Sequence, residues 1–88
     1  MEKYYVFAFS ARTESMRFFD RVKRAGVPAV IINTPRIITL GCGLSVKIPP
    51  RYYHSALDLF DRSSYGTFLG VYEINGVGGR NTARRIFS

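Results

Sequence analysis

The residue of this chain best suited to covalent chemistry is its single cysteine. Cys42 stands between Gly41 and Gly43, near the end of the stretch Thr-Pro-Arg-Ile-Ile-Thr-Leu-Gly-Cys-Gly-Leu that covers residues 34–44. A thiolate is the reactive form of cysteine, and flanking glycines leave room for a bulky partner atom because they carry no side chain. The stretch is therefore a candidate site for sulfur or selenium chemistry. The alternative is an inert thiol, since free cysteines are often buried.

Positive charge near the thiol would favour the thiolate. A nearby cation or a helix N-terminus lowers a cysteine pKa from about 8.5 toward neutrality. Arg36 precedes Cys42 in the same stretch, and Arg12 stands at the start of a predicted helix. We therefore predict Arg12 and Arg36, together with Gly41 and Gly43, as binding residues around Cys42.

The hydrophobic pattern predicts the elements that position this stretch. Runs rich in β-branched and aromatic residues predict strands over residues 3–9, 28–33, 44–48 and 68–74. Apolar residues at helical spacing predict one helix that is capped by Ser10 or Thr13 and ends at Gly26, and a second over about 51–62. The order β-α-β-β-α-β predicts an α+β, ferredoxin-like sandwich. We expect a four-stranded antiparallel sheet in the order 4-1-3-2, with both helices on one face.

This topology predicts which residues share an end of the sheet with Cys42. The connection between the second and third strands should lie on the rim where the first strand ends and the first helix begins, close to Arg12. The turn after the second helix, near residues 62–67, should reach the same rim. His54, the only histidine, should lie at the opposite end, so no nucleophile–histidine–acid set is expected and a hydrolase is disfavoured.

Length and charge limit the remaining possibilities. The 88 residues suffice for one small domain, predicted over residues 1–75, with a flexible basic tail over 76–88. The net charge is +7, of which Arg80, Arg84 and Arg85 supply three, and such a balance favours anionic partners. One cysteine excludes an internal disulfide and a multi-cysteine zinc site, and we predict no metal or cofactor. No signal peptide is recognisable, so we expect a cytoplasmic protein without a membrane segment.

Several short motifs together resemble a known family. They are Tyr4–Phe7, Ala25–Pro28, Thr34–Arg36, Cys42–Leu44 and Gly70–Tyr72. Over roughly residues 3–74 they are similar to the Se/S carrier protein-like domains, formerly a domain of unknown function. The resemblance implies a sulfur or selenium relay protein rather than a classical enzyme. Cys42 would hold a persulfide or perselenide, with Arg36 and Gly43 as its neighbours in the signature, received from a donor protein of the cysteine desulfurase type and passed to an acceptor protein.

Two other interpretations stay open. The chain could be a binding module for nucleic acid or an acidic partner, acting through the sheet and the tail arginines Arg80, Arg84 and Arg85. The first strand offers tyrosines for base stacking, but the third offers no aromatic residue. A small-ligand or regulatory module is the other interpretation, and no residue argues for it. Because the helices should cover only one face of the sheet, we also predict a homodimer through an uncovered apolar face formed by Tyr4, Val6, Leu69 and Val71.

Overall fold

A computed structural model describes residues 2–39, 43–77 and 80–87. Two predicted site residues, Gly41 and Cys42, lie outside the described residues. Two short 3₁₀ turns, Pro50–Tyr52 and Arg62–Ser64, flank the second helix. The main elements are β1 (Glu2–Phe9), α1 (Arg12–Arg24), β2 (Val30–Asn33), β3 (Leu44–Ile48), α2 (Tyr53–Leu59), β4 (Phe68–Val77) and β5 (Arg80–Phe87).

The strands form one five-stranded antiparallel sheet in the order β2-β3-β1-β4-β5. The prediction of a four-stranded ferredoxin-like sheet is therefore wrong, although the protein is α+β overall. The additional strand comes from the segment that we expected to be a flexible tail. β4 runs across the boundary predicted at residue 75 as far as Val77, and Arg80–Phe87 then pairs along it.

A buried carboxylate joins β5 to the middle of the sheet. Glu73 of β4 accepts hydrogen bonds from the Asn75 amide at 3.1 Å and the Tyr5 hydroxyl at 3.0 Å. The guanidinium of Arg84 on β5 pairs with the same carboxylate at 3.2 Å. Hydrogen bonds from Asn75, and then from Tyr5 and Arg84, lower the pKa of Glu73 to about 2. Arg84, which we predicted to bind anions as part of a flexible tail, thus helps to hold the last strand in place.

One face of the sheet carries both helices and most of the core. Phe7 and Phe9 of β1 point to this side and meet Phe18 of α1, with ring centroids 4.9 and 5.9 Å apart. The helix α2 ends at Leu59, because Phe60 adopts an extended backbone and turns its ring against those of Phe7 and Phe18. We call this the helical face.

The opposite face of the sheet is not the bare apolar surface that we predicted. Val6 is fully buried there, within a second cluster that contains Ala8 and Ile74. Val71 lies on the helical face instead, since the pairing of β1 with β4 sets it opposite Phe7. Leu69 is exposed. Five partly buried side chains cover the cluster: Tyr4, Ile32, Ile38, Tyr72 and Ala83.

Helix α1 ends as predicted but begins differently. Gly26 has a φ of +89°, a left-handed conformation that only glycine adopts readily, and its N–H bonds the Lys23 carbonyl. At the other end Ala11 is the N-cap, so the prediction of a Ser10 or Thr13 cap is wrong. Thr67 instead bonds the two residues that precede the helix. Its carbonyl accepts from the Ser10 N–H, and its hydroxyl accepts from the Ala11 N–H. Among the described residues, neither helix has the length and apolarity to cross a membrane.

The Glu73 carboxylate should make the stability of the fold depend on pH. Because the pKa of Glu73 is lower in the folded state than its ordinary value of 4.5, its contribution is present above pH 4.5 and is lost as the pH falls toward 2. In urea titrations at several pH values, Glu73→Gln should be less stable than the wild type at neutral pH. The difference should shrink as the pH falls from about 4.5 to about 2.

The matched control is Asp58→Asn, which removes an exposed carboxylate from α2. Its difference from the wild type should stay small at every pH. A Glu73→Gln chain as stable as the wild type at neutral pH would contradict this account of how β5 is held.

Candidate functional site

The residues that follow Cys42 in the chain are held by hydrogen bonds to two other parts of the fold. The Gly43 carbonyl accepts a hydrogen bond from the Thr34 N–H at 3.0 Å. The Leu44 carbonyl accepts from the hydroxyl of Ser15, a fully buried residue of α1, at 2.6 Å. The Ser45 hydroxyl bonds that of Thr34 at 2.6 Å. Residues 43–45 are thus fixed to Thr34, just past the end of β2, and to the first turns of α1 at the same time.

Gly43 also lies against the end of the central strand. A β-carbon at this position would stand 3.0 Å from the Phe9 carbonyl oxygen, 3.5 Å from the Thr34 hydroxyl and 3.9 Å from the Ser10 α-carbon. The first of these distances is shorter than van der Waals contact with a backbone atom that cannot easily move. The close approach therefore favours glycine here, and the end of the 34–44 stretch meets the point where β1 gives way to α1.

The third part of this rim is the turn before β4. The Glu14 carboxylate accepts from the hydroxyl and N–H of Thr67 at 2.6 and 2.8 Å, and from the Gly66 N–H at 3.2 Å. The hydrogen bond from the Thr67 hydroxyl, followed by that from its N–H, lowers the pKa of Glu14. The negative charge in the first turn of α1 is thus directed toward residues 66–67.

A cavity of about 340 Å³ opens at this rim. Arg12 brings a cation to it from the first position of α1, where no side chain caps the helix. A helix of this length carries roughly half a positive charge at its N-terminus, so the cavity combines a full and a partial positive charge. Its described lining consists of Ser10, Arg12, Asn33, Gly43 and Leu44.

The structure brings some of the predicted site residues together. Arg12 and Gly43 line the same cavity, and the turn at residues 66–67 reaches the rim as expected. Arg36 is exposed in the turn at residues 36–38, which folds back so that Ile38 packs on the cluster around Val6. Gly41 and Cys42 lie outside the described residues, and their roles stay predictions.

Other candidate residues lie away from the rim. His54 is exposed on α2 beside Tyr53, whose ring stacks on Tyr5 at 3.9 Å. Tyr5 precedes Phe9 by four residues on β1, so the Tyr5 contact of Tyr53 lies roughly 13 Å along the strand from the rim. The arginines of β5 lie on an edge strand, and both β1 and β4 stand between them and β3, the strand that follows Gly43. In the described part of the chain, no cluster of three histidine, cysteine, aspartate or glutamate residues could hold a metal ion.

Sequence reasoning overlooked three polar residues of this site. Asn33 lines the cavity, while Thr34 and Ser15 hold residues 43–45 by hydrogen bonds. Asn33 and Thr34 stand where β2 ends, and a polar residue at a strand end could have been noted for that reason. Ser15 lies on the apolar stripe of α1, and a hydroxyl within such a stripe must find a buried partner. That requirement could have identified Ser15 from the sequence.

Comparison with known protein families assigns the chain to one of them. Residues 4–73 match the family model described as "Putative Se/S carrier protein-like". The match covers more than half of the chain, so the protein belongs to this family of small α+β domains. No curated protein and no solved structure matches the chain.

The close approach at Gly43 generates a stability prediction. In Gly43→Ala the new methyl group would press on the Phe9 carbonyl, and overpacking of this kind costs about 1–3 kcal/mol. The free energy of unfolding from urea titration should fall by that amount. Gly66→Ala is the matched control, because its β-carbon would meet only the Glu14 carboxylate at 3.9 Å. Equal effects of the two substitutions would show that Gly43 is not confined.

Proposed function

We propose that the protein carries sulfur or selenium as a persulfide or perselenide on Cys42. It would receive the atom in the cytoplasm from a donor protein of the cysteine desulfurase type and pass it to an acceptor protein. The observation that carries the proposal is the position of Gly43. This residue is covalently bonded to Cys42, and it lines the rim cavity together with Arg12 at the start of α1. Membership of the Se/S carrier protein-like family supports the same chemistry.

The transfer needs no outside oxidant or reductant. In loading, the Cys42 thiolate attacks the outer sulfur of the donor's persulfide. A new sulfur–sulfur bond forms, the donor's own sulfur–sulfur bond breaks, and the donor cysteine leaves as a thiolate. In unloading, a thiolate of the acceptor attacks the outer atom, a new persulfide or perselenide bond forms on the acceptor, and Cys42 leaves as a thiolate. The oxidation state of the carried atom does not change over the two steps. A selenium atom would follow the same course.

The rim is suited to holding the anions that these steps require. Thiolate and persulfide both carry negative charge, and Arg12 lines the cavity from a helix end with no side-chain cap. The carboxylate in the same helical turn, Glu14, is occupied by Thr67 and Gly66. Glu14 stays ionised but is not part of the described lining of the cavity, so the positive charge of Arg12 and of the helix end would still favour the anion.

The rigid segment after Cys42 supports a role in docking. Gly43 and Ser45 are both bonded to Thr34, and Leu44 is bonded to Ser15 of α1. A carrier must present its loaded atom to two partners in turn, and a fixed backbone beside the thiol reduces the entropy lost in each encounter. Cys42 has glycine on both sides, so neither neighbour adds a side chain between the thiol and a partner protein.

Loading is tested with intact protein mass. The reduced chain is incubated with a cysteine desulfurase and cysteine, and we expect a mass increase of one sulfur atom that dithiothreitol removes. Cys42→Ser should show none, while Ser55→Ala, which changes an exposed residue of α2, should still load because it keeps the thiol. If the wild-type chain gains no sulfur although the desulfurase turns over, or if Cys42→Ser gains it equally, the carrier proposal is wrong.

The electrostatic part of the proposal is tested separately by the pH dependence of alkylation. The rate of reaction with iodoacetamide should give an apparent pKa for the thiol below about 8.5. Arg12→Gln should raise this value, since it removes the cation at the rim. Arg24→Gln is the control, because it removes the same charge from the last turn of α1, where Arg24 pairs with Asp20. An equal effect of both variants would contradict a local role for Arg12.

A further inference from the structure

Two tyrosines share the face of the sheet opposite the helices. Tyr4 lies on β1 and Tyr72 on the neighbouring β4, and both are partly exposed. The register pairs Tyr4 with Ile74, and Tyr72 with Val6. The two tyrosines are therefore diagonal neighbours on adjacent strands, a spacing of roughly 7–8 Å. Sequence reasoning looked for a second aromatic residue on β3, but β4 supplies it.

Among the residues whose side chains the structure describes, the charge on this face is of one sign. Lys47 of β3 pairs in register with Val6, and Arg85 of β5 pairs with Tyr72, so both cations lie on the same face as the tyrosines. The five acidic residues whose side chains the structure describes belong to the other side, on the helices, the turn after α2 or the helical face of β4. They are Glu14, Asp20, Asp58, Asp61 and Glu73.

We propose that this tyrosine face, formed by Tyr4, Tyr72, Lys47 and Arg85, binds single-stranded nucleic acid. Bases stack on the two rings, and the two cations contact the phosphates on either side. Planar rings on neighbouring central strands with flanking cations are what a sheet needs to bind bases without a deep groove. This function is independent of the thiol chemistry proposed for Cys42.

The contact that Lys47 makes with Tyr4 in this structure can be replaced by a stacked base. The Lys47 ammonium lies over the Tyr4 ring, 4.3 Å from its centroid. A cation–π contact at a partly exposed site is weaker than the stacking of a base on an aromatic ring. A base can therefore take the place of the ammonium, which then lies within reach of a phosphate. Lys47 holds the ring until a ligand arrives.

Charge and shape favour nucleic acid over the other occupants. A second copy of the chain would bring Lys47 and Arg85 close to the same cations of its partner, which is unfavourable at low dielectric. An acidic peptide would neutralise the cations but offers no regularly spaced planar groups for Tyr4 and Tyr72. A nucleic acid strand supplies both the planar bases and the repeated anions.

The test is fluorescence anisotropy of a labelled oligouridine of about ten nucleotides, titrated with the full chain at several salt concentrations. Tyr72→Leu should weaken binding roughly tenfold, whereas Tyr72→Phe should retain it because it keeps the ring. The double variant Lys47→Gln, Arg85→Gln should lower the slope of log K against log salt by roughly 1.4. The charge-matched control Lys23→Gln, Arg24→Gln, on α1, should change the affinity less than twofold.

Several outcomes would overturn the proposal. They are no binding at low salt, equal losses in the two double variants, or equal losses in Tyr72→Leu and Tyr72→Phe while circular dichroism shows both folded. Equal competition by polyglutamate of matched charge would identify an acidic protein as the partner. A dimer that dissociates in Tyr72→Leu would identify a second copy. Binding should be unchanged in Cys42→Ser, so this result does not depend on the carrier function.

Discussion

Strand β1 buries side chains on both of its faces, and the other elements are arranged around it. From Val6 to Phe9 every residue is fully buried. The odd-numbered side chains meet the helices, and the even-numbered ones meet the cluster on the opposite face. A strand with no exposed face must be central, so β3 and β4 flank it. The point where β1 ends at Phe9 therefore becomes the rim at which α1, residues 43–45 and the turn at 66–67 converge.

That convergence gives the rim its chemical character. α1 begins without a side-chain cap, and Arg12 occupies its first position, so positive charge is directed into the cavity. Ser15 and Thr34 satisfy the polar groups of residues 43–45, which keeps the backbone there in one conformation. Gly43 allows the close approach to Phe9 that brings these parts together. The same interactions that stabilise the fold thus build a small positive cavity lined by Gly43, the residue that follows the only cysteine in the sequence.

The first four strands could be predicted from the sequence, but the fifth could not. β1 and β3 have clear apolar patterns, and Gly26 has the left-handed conformation that ends a helix. The last strand carries three arginines and follows a glycine-rich segment, so its sequence indicates a tail. It becomes a strand through its pairing with β4 and the Arg84–Glu73 ion pair. Strand formation of this kind depends on tertiary neighbours and not on local propensity.

The site was predictable to a similar extent. Topology alone placed Arg12 and residue 43 on one rim. Because α1 connects β1 to a parallel β2, both strands end on the same side, where α1 begins and the connection from β2 to β3 starts. The supporting roles of Ser15, Thr34 and Asn33 could not be predicted, since they depend on hydrogen bonds between elements far apart in the chain. The face of Val71 was also missed, because the register with β1 decides it. Tyr72 therefore occupies the face on which we expected Val71.

The central claim is that the thiol of Cys42 works at the rim cavity. A nitroxide spin label attached to Cys42, followed by paramagnetic relaxation enhancement of the backbone amides, measures this directly. The account predicts strong broadening at Ser10, Arg12 and Asn33, and little at His54 and Asn75 toward the other end of the sheet. Equal broadening at both ends, or none at the rim, would contradict it.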